Sequence, residues 1–143
     1  MKHIIIAFIG SLCPAVLINV DRRNLIWAGF SGLLGRLLYD HLVAIYPGSA
    51  LVSVFLGTAV VAVYSEVMAR VRKTPATIFS IPGIFPLVPG VDAYHTIQSI
   101  TEQDYVEAAV FGINVVAKAS LIALGVLVVS AVFRKIMLNK KQR

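Results

Sequence analysis

Five apolar runs divide the chain, and most charged residues lie in the short stretches between them. The hydrocarbon core of a bilayer is about 30 Å thick, and roughly 20 helical residues cross it. Each run is long enough, or nearly so, to span this distance as a helix. The pattern predicts an all-α integral membrane protein, with one transmembrane domain over residues 1–143, spans at about 4–20, 25–46, 49–69, 75–91 and 107–133, and a basic cytoplasmic tail at 134–143.

The fourth run differs from the others because it is uncharged yet rich in helix-breaking residues. Proline lacks a backbone N–H and clashes with the carbonyl one turn earlier, so several prolines in succession should break a helix. Irregular backbone is tolerated at membrane depth only where protein buries it or water reaches it. We expect a broken fourth span, followed over residues 92–104 by a short amphipathic helix at the interface. The breaking residues are Pro75, Pro82, Gly83, Pro86, Pro89 and Gly90.

Basic residues are strongly biased to one side of the membrane if the chain crosses it five times. Ten lysines and arginines then fall on one side, and only Lys2 falls on the other. Because positively charged loops stay in the cytoplasm, we expect the N-terminus outside and the C-terminus inside. A re-entrant fourth segment would place the basic tail outside, which makes five crossings the better prediction.

The composition excludes several other protein classes. Hydrophobic residues make up 58% of the chain and charged residues 14%, with a mean hydropathy of +0.84, whereas soluble domains carry about 25% charged residues. The net charge of +6 comes from residues that flank the apolar runs, so no nucleic-acid partner is expected. One cysteine and three scattered histidines do not make a metal site, and the sequence has no phosphate-binding loop, so we expect neither metal nor cofactor.

Ionisable residues inside the apolar runs are the main candidates for function. Arg36 and Asp40 are four residues apart in the second run, so they share a helix face and can pair. They either bind a solute or form an ion pair that locks this helix to a neighbour. Lys118 lies deep in the last run, one turn after Asn114, so its ammonium should face a cavity or an acid.

The proline-rich and glycine-rich run carries a specific sequence motif. Residues 75–90 read PATIFSIPGIFPLVPG, and Tyr94 follows them. This stretch resembles the carboxy-terminal half of the threonine/serine exporter (ThrE) family, which has a P…IPGI-PLVPG…Y signature after a basic loop. The resemblance implies export of threonine and serine, or of dicarboxylates such as succinate, across a bacterial inner membrane. At 143 residues the chain is similar to the small subunit of the split version, which implies a larger membrane partner resembling the amino-terminal half.

These features together predict a path for a small carboxylate. Arg36 can offer a planar, two-pronged donor, and the ends of broken helices carry partial charges that suit ions. Gly83 and Gly90 are expected to adopt positive φ and to leave space for the solute. No nucleophile has a base beside it, so no catalytic residue is expected, and a non-transporting assembly subunit stays the alternative. The candidates for the substrate path are Arg36, Asp40, Pro82, Gly83, Pro86, Pro89, Gly90, Tyr94, Asn114 and Lys118.

Overall fold

The computed structural model of the chain describes the backbone of residues 2–141 and the side chains of residues 5–136. The described part is all-α, as the hydrophobic pattern predicts. The first three helices and the last one lie close to the predicted runs, while the fourth run is divided. The elements are α1 (Lys2–Leu17), α2 (Arg22–Ile45), α3 (Ala50–Arg72), α4 (Thr77–Ile84), a 3₁₀ turn (Phe85–Leu87), α5 (Gly90–Thr101) and α6 (Tyr105–Lys141).

Helices α1, α2, α3 and α4 pack closely because small residues face one another. A Cβ atom placed on Gly57 of α3 would lie 2.9 Å from the carbonyl oxygen of Gly35 on α2. The buried positions of α2 and α3 are mainly glycine, alanine, serine, threonine and valine. In a membrane the hydrophobic effect does not drive helices together, so close backbone approach between small residues supplies much of the packing.

One end of the bundle is held together by arginine contacts. Arg72 at the end of α3 donates to the Asn24 side chain and to the Arg23 carbonyl oxygen, each at 2.9 Å, near the start of α2. The guanidinium of Arg70 lies 4.6 Å from the ring centroid of Phe133 on α6. The start of α2, the end of α3 and the Phe133 region of α6 therefore share one end, which we call the basic end.

The helix break in the fourth run comes after Pro82 and not at it. Helix α4 continues through Pro82, which is buried within it. The chain then tightens into the 3₁₀ turn and becomes extended at Val88 (φ −60°, ψ 132°) before Pro89 precedes α5. A single proline removes one helical hydrogen bond, whereas Pro86 and Pro89 remove two donors in succession. The predicted break therefore exists, but it lies at Val88–Pro89 and leaves Pro82 and Gly83 inside a helix.

Helix α5 runs antiparallel to the first half of α6. Asp92 pairs with Lys118, the His95 ring stacks on Phe111 with centroids 5.1 Å apart, and Ser99 donates to Glu107 at 3.2 Å. Successive residues of α5 thus meet earlier and earlier residues of α6. A helix is present where the amphipathic helix is predicted, but it begins at Gly90 and runs along α6 away from the basic end. It therefore continues the broken fourth run, and the predicted position at the interface was wrong.

Two of the helices are long and apolar enough to cross a bilayer, within residues 2–141. They are Ala50–Arg72 and Tyr105–Ile136, and two shorter apolar helical segments cover Ile5–Leu17 and Thr77–Leu87. Helix α2 has 24 residues, but it carries the charges of Arg36 and Asp40 in its interior. The count of five spans stays a prediction.

Candidate functional site

The break in the fourth run exposes a backbone carbonyl, and Arg36 binds it. In an unbroken helix the Pro86 carbonyl oxygen would accept from the N–H of Gly90. The Gly90 N–H instead donates to the Val88 oxygen at 2.8 Å. Arg36 of α2 donates through Nη1 to the Pro86 oxygen at 3.1 Å. The arginine therefore supplies the hydrogen bond that the break removes.

Arg36 also makes the local pair that its spacing predicts. Its Nε lies 3.0 Å from Oδ1 of Asp40, one helical turn later, and both side chains are 35% exposed. The guanidinium carbon lies 5.0 Å from the Tyr39 ring centroid. Two of the three guanidinium nitrogens are thus engaged, and Nη2 has no partner within the described residues. To bind a carboxylate through two hydrogen bonds (bidentate binding), Arg36 would have to release either the Pro86 oxygen or Asp40.

Lys118 has a partner on α5 that the sequence pattern did not identify. Its ammonium forms an ion pair with Oδ2 of Asp92, and each side chain is 19% exposed. Asp92 lies in the first turn of α5, where the helix dipole favours a negative charge. The two residues are 26 positions apart, so sequence spacing does not predict the pair. The sequence indicated only that a lysine deep in an apolar run requires an acidic partner.

A cavity of about 200 Å³ brings the two cations together. Arg36 and Lys118 line it with Asp92, and the broken backbone from Leu87 to Asp92 forms another part of its wall. Arg36 is 14 residues from the start of α2 and Lys118 is 15 residues from Phe133, which places both roughly 21–23 Å from the basic end. The cavity therefore lies near mid-depth of the bundle.

Residues at the start of α5, where backbone N–H groups lack helical partners, line the same cavity. Ala93 makes the first backbone bond of this helix, to the Pro89 oxygen at 3.1 Å. Val91 and Asp92 line the cavity, and their N–H groups bond to no backbone oxygen in the described structure. The first N–H groups of any helix lack intrahelical partners. The lining residues thus include two cations and two residues whose backbone N–H groups have no backbone partner in the described part of the chain.

The two candidate glycines have different environments. A Cβ atom on Gly83 would lie 2.2 Å from Ser31 Oγ and 2.7 Å from Val61 Cγ1, whereas a Cβ on Gly90 would meet nothing within 4 Å. Neither has a positive φ; among the described glycines only Gly48 does. The prediction of positive φ at both positions was wrong. Gly83 is required for packing between α4 and its neighbours, while Gly90 opens onto the cavity.

The remaining candidates lie outside this cavity. Pro86 lines a second cavity of about 240 Å³ on the α1 side of Arg36. Tyr94 is 64% exposed, with its ring edge against His95. Asn114 is half-buried on α6, and Asp40 lines a shallow, mainly apolar groove between α2 and α3. The structure therefore brings together Arg36, Pro89, Gly90 and Lys118 from the predicted set, adds Asp92, and leaves the buried Pro82 apart.

The comparisons with known proteins bear on nearly the whole chain. A family model described as "Threonine/Serine exporter, ThrE" matches residues 3–132, a range that contains both cations and the broken run. The comparisons with curated proteins and with solved structures found no match. The resemblance drawn from the proline-glycine motif is thereby confirmed. The chain belongs to the threonine/serine exporter (ThrE) family.

Proposed function

We propose that the chain is one subunit of a two-component secondary transporter that exports small carboxylates across the bacterial inner membrane. Membership of an exporter family indicates a transport protein rather than an enzyme, and two long apolar helices indicate a membrane protein. The observation that carries the proposal is the mid-depth cavity, which is lined by Arg36, Lys118 and the start of α5.

The chemistry of the cavity suits a carboxylate. A carboxylate that leaves water needs a positive charge and hydrogen-bond donors, because burying it unpaired is very costly. Arg36 offers its free Nη2, Lys118 offers an ammonium, and Val91 offers a backbone N–H. Discontinuous helices in transporters commonly point such N-terminal ends at anionic groups. Arg36 is the proposed main anchor of the solute.

The size of the cavity favours a very small solute. A water molecule occupies about 30 Å³ of the liquid, so 200 Å³ corresponds to roughly seven waters. Pockets for drug-sized ligands are larger, about 300–1,000 Å³. Threonine, serine and four-carbon dicarboxylates are of the matching size, and these are the solute classes we propose.

The proposed orientation in the membrane is based on the basic end. Arginines from α2 and α3 meet there, and α5 leads from mid-depth towards the start of α6 at the opposite end. This order of contacts supports five crossings with the basic end in the cytoplasm. A reporter fused after Arg143 is expected to give a cytoplasmic signal, while one fused before Lys2 gives a periplasmic signal. The opposite signal at the C-terminal fusion would contradict five crossings.

The partner is proposed to be a larger membrane subunit. Helix α5 packs mainly on α6, and α6 leaves large apolar side chains such as Val106, Ile113 and Leu127 exposed. We expect the tagged chain to co-purify with the larger subunit. In vesicles, the pair should release preloaded L-serine, L-threonine or succinate. Efflux by this chain alone, at the rate of the pair, would overturn the two-component proposal.

A non-transporting assembly subunit is the competing function, and one observation favours it. Arg36 is already bound to Pro86 and Asp40, as expected of a residue that only holds α2 to the broken run. If this function is correct, the larger subunit reconstituted alone keeps full transport per inserted molecule. Under our proposal the larger subunit alone is inactive.

A further inference from the structure

Two cations but only one acid line the cavity, among lining residues that the structure describes in full. Arg36 and Lys118 line the cavity, and Asp92 is the one acid among the lining residues, all of which the structure describes. Asp40, the second acid of the group, pairs with Arg36 but does not line the cavity. The negative charge that a bound solute meets is therefore that of Asp92.

We propose that Asp92 determines the charge class of the solute: it favours a zwitterionic amino acid and disfavours a dicarboxylate. The inference rests on the proposed function, because it takes the cavity as the solute site. It assigns to one acidic side chain the choice between the two classes that the proposed function leaves open.

The first step of the argument is competition for Lys118. Asp92 and Lys118 are equally and partly exposed, and both line the cavity. A solute carboxylate that approaches Lys118 must share or displace the Asp92 carboxylate. If the solute carries an ammonium group, that group can take the place of Lys118 beside Asp92. The Asp92–Lys118 pair is then replaced by two pairs, one between Asp92 and the solute ammonium and one between Lys118 and the solute carboxylate. The net charge of the site is unchanged.

A dicarboxylate cannot make this exchange. It brings two negative charges into a wall that already holds Asp92 and offers that residue no cation in return. Like charges in a partly buried site repel strongly, because the low dielectric constant reduces screening. Removing the charge of Asp92 should therefore help a dicarboxylate and harm an amino acid.

The position of Asp92 is fixed well enough for this role. Its carbonyl oxygen accepts from Thr96 Oγ1 at 2.8 Å, one turn later, and the helix begins two residues before it, at Gly90. Asp92 is the third residue of α5, and within the described residues its carboxylate bonds to Lys118 and caps no backbone N–H. Asparagine, which has nearly the same shape, and the smaller serine therefore remove the charge without removing a helix cap. The substitutions thus change the charge and preserve the local fold.

The experiment measures solute preference in vesicles that contain both subunits. Efflux of L-serine and of succinate is measured for the wild type, Asp92→Asn, Asp92→Glu and Glu102→Gln, per inserted complex. Glu102 is a matched control because it is an exposed acid that bonds to Gln98, outside the cavity. We expect Asp92→Asn to lower the serine-to-succinate efflux ratio at least tenfold, and Asp92→Glu and Glu102→Gln to keep it within about twofold.

The outcomes separate this inference from the proposed function. If Asp92→Asn leaves the serine-to-succinate efflux ratio unchanged, or lowers the efflux of both solutes equally, the proposed role of Asp92 is wrong. Transport by the wild-type complex still supports the proposed function in that case. A wild-type complex that carries neither solute overturns the proposed function and the inference with it. If Asp92→Asn does not insert, Asp92→Ser provides the same test, and a ratio that stays at the wild-type value again overturns the inference.

Discussion

Arg36→Lys is expected to lower efflux roughly 10-fold to 100-fold per inserted complex. Lysine keeps the positive charge but cannot bind the Pro86 oxygen, Asp40 and a solute carboxylate with three separate nitrogens. Losing one hydrogen bond to a charged group costs about 1.5–3 kcal/mol, which corresponds to that range of rates. The measurement is release of preloaded serine or succinate from vesicles, divided by the amount of complex inserted.

The control for Arg36 is another arginine with the same kind of pair. Arg70 bonds to Glu66 one turn earlier, with Nη2 to Oε2 at 3.3 Å, but it lies at the basic end, away from the cavity. Arg70→Lys should leave specific efflux within about twofold of the wild type. Normal specific efflux in Arg36→Lys and Arg36→Ala, with less protein inserted, would identify Arg36 as a scaffold residue and remove it from the solute path.

Gly83→Val is expected to reduce the amount of folded protein severely, while Gly90→Val is expected to leave it near the wild-type level. Any side chain at Gly83 meets Ser31 and Val61 at less than contact distance, and overpacking of this kind costs about 1–3 kcal/mol or more. Open space surrounds Gly90, so valine fits there but projects into the cavity. Gly90→Val should therefore insert normally and lose most of its efflux.

The two valine variants are compared by the same pair of measurements. Size-exclusion profiles of the detergent-solubilised complex give the folded amount, and vesicle efflux gives activity per complex. Gly83→Ala is the milder variant at the packed position and should lose less protein than Gly83→Val. Equal folded amounts in Gly83→Val and Gly90→Val would contradict the packing assigned to Gly83.

The positions of most helices could be predicted from the sequence, because segments that lie in lipid are apolar and charged residues mark their ends. The boundaries of α2 and α3 follow Arg22–Arg23 and Arg70–Lys73, and the Arg36–Asp40 pair follows from spacing within one helix. These features depend on neighbours in sequence. Local patterns are therefore sufficient to identify them.

The cavity was only partly predictable because its contacts join distant segments. The Asp92–Lys118 pair depends on how α5 folds back along α6, and the Arg36 contact is to a backbone oxygen, which no side-chain pattern reveals. Gly83 and Gly90 look alike in a proline-glycine motif, yet one is packed and the other open. Tertiary packing, rather than residue type, separates their roles.

The most direct test of the solute path is chemical modification of a cysteine placed at Gly90. In the two-subunit complex with the exposed Cys13 replaced by serine, Gly90→Cys should react with a small hydrophilic thiosulfonate, and Glu102→Cys serves as the control at the end of α5. We predict that saturating serine or succinate slows modification of Gly90→Cys at least fivefold and leaves Glu102→Cys unaffected. Modification of Gly90→Cys at the same rate with and without every solute would contradict the claim that this cavity binds the exported carboxylate.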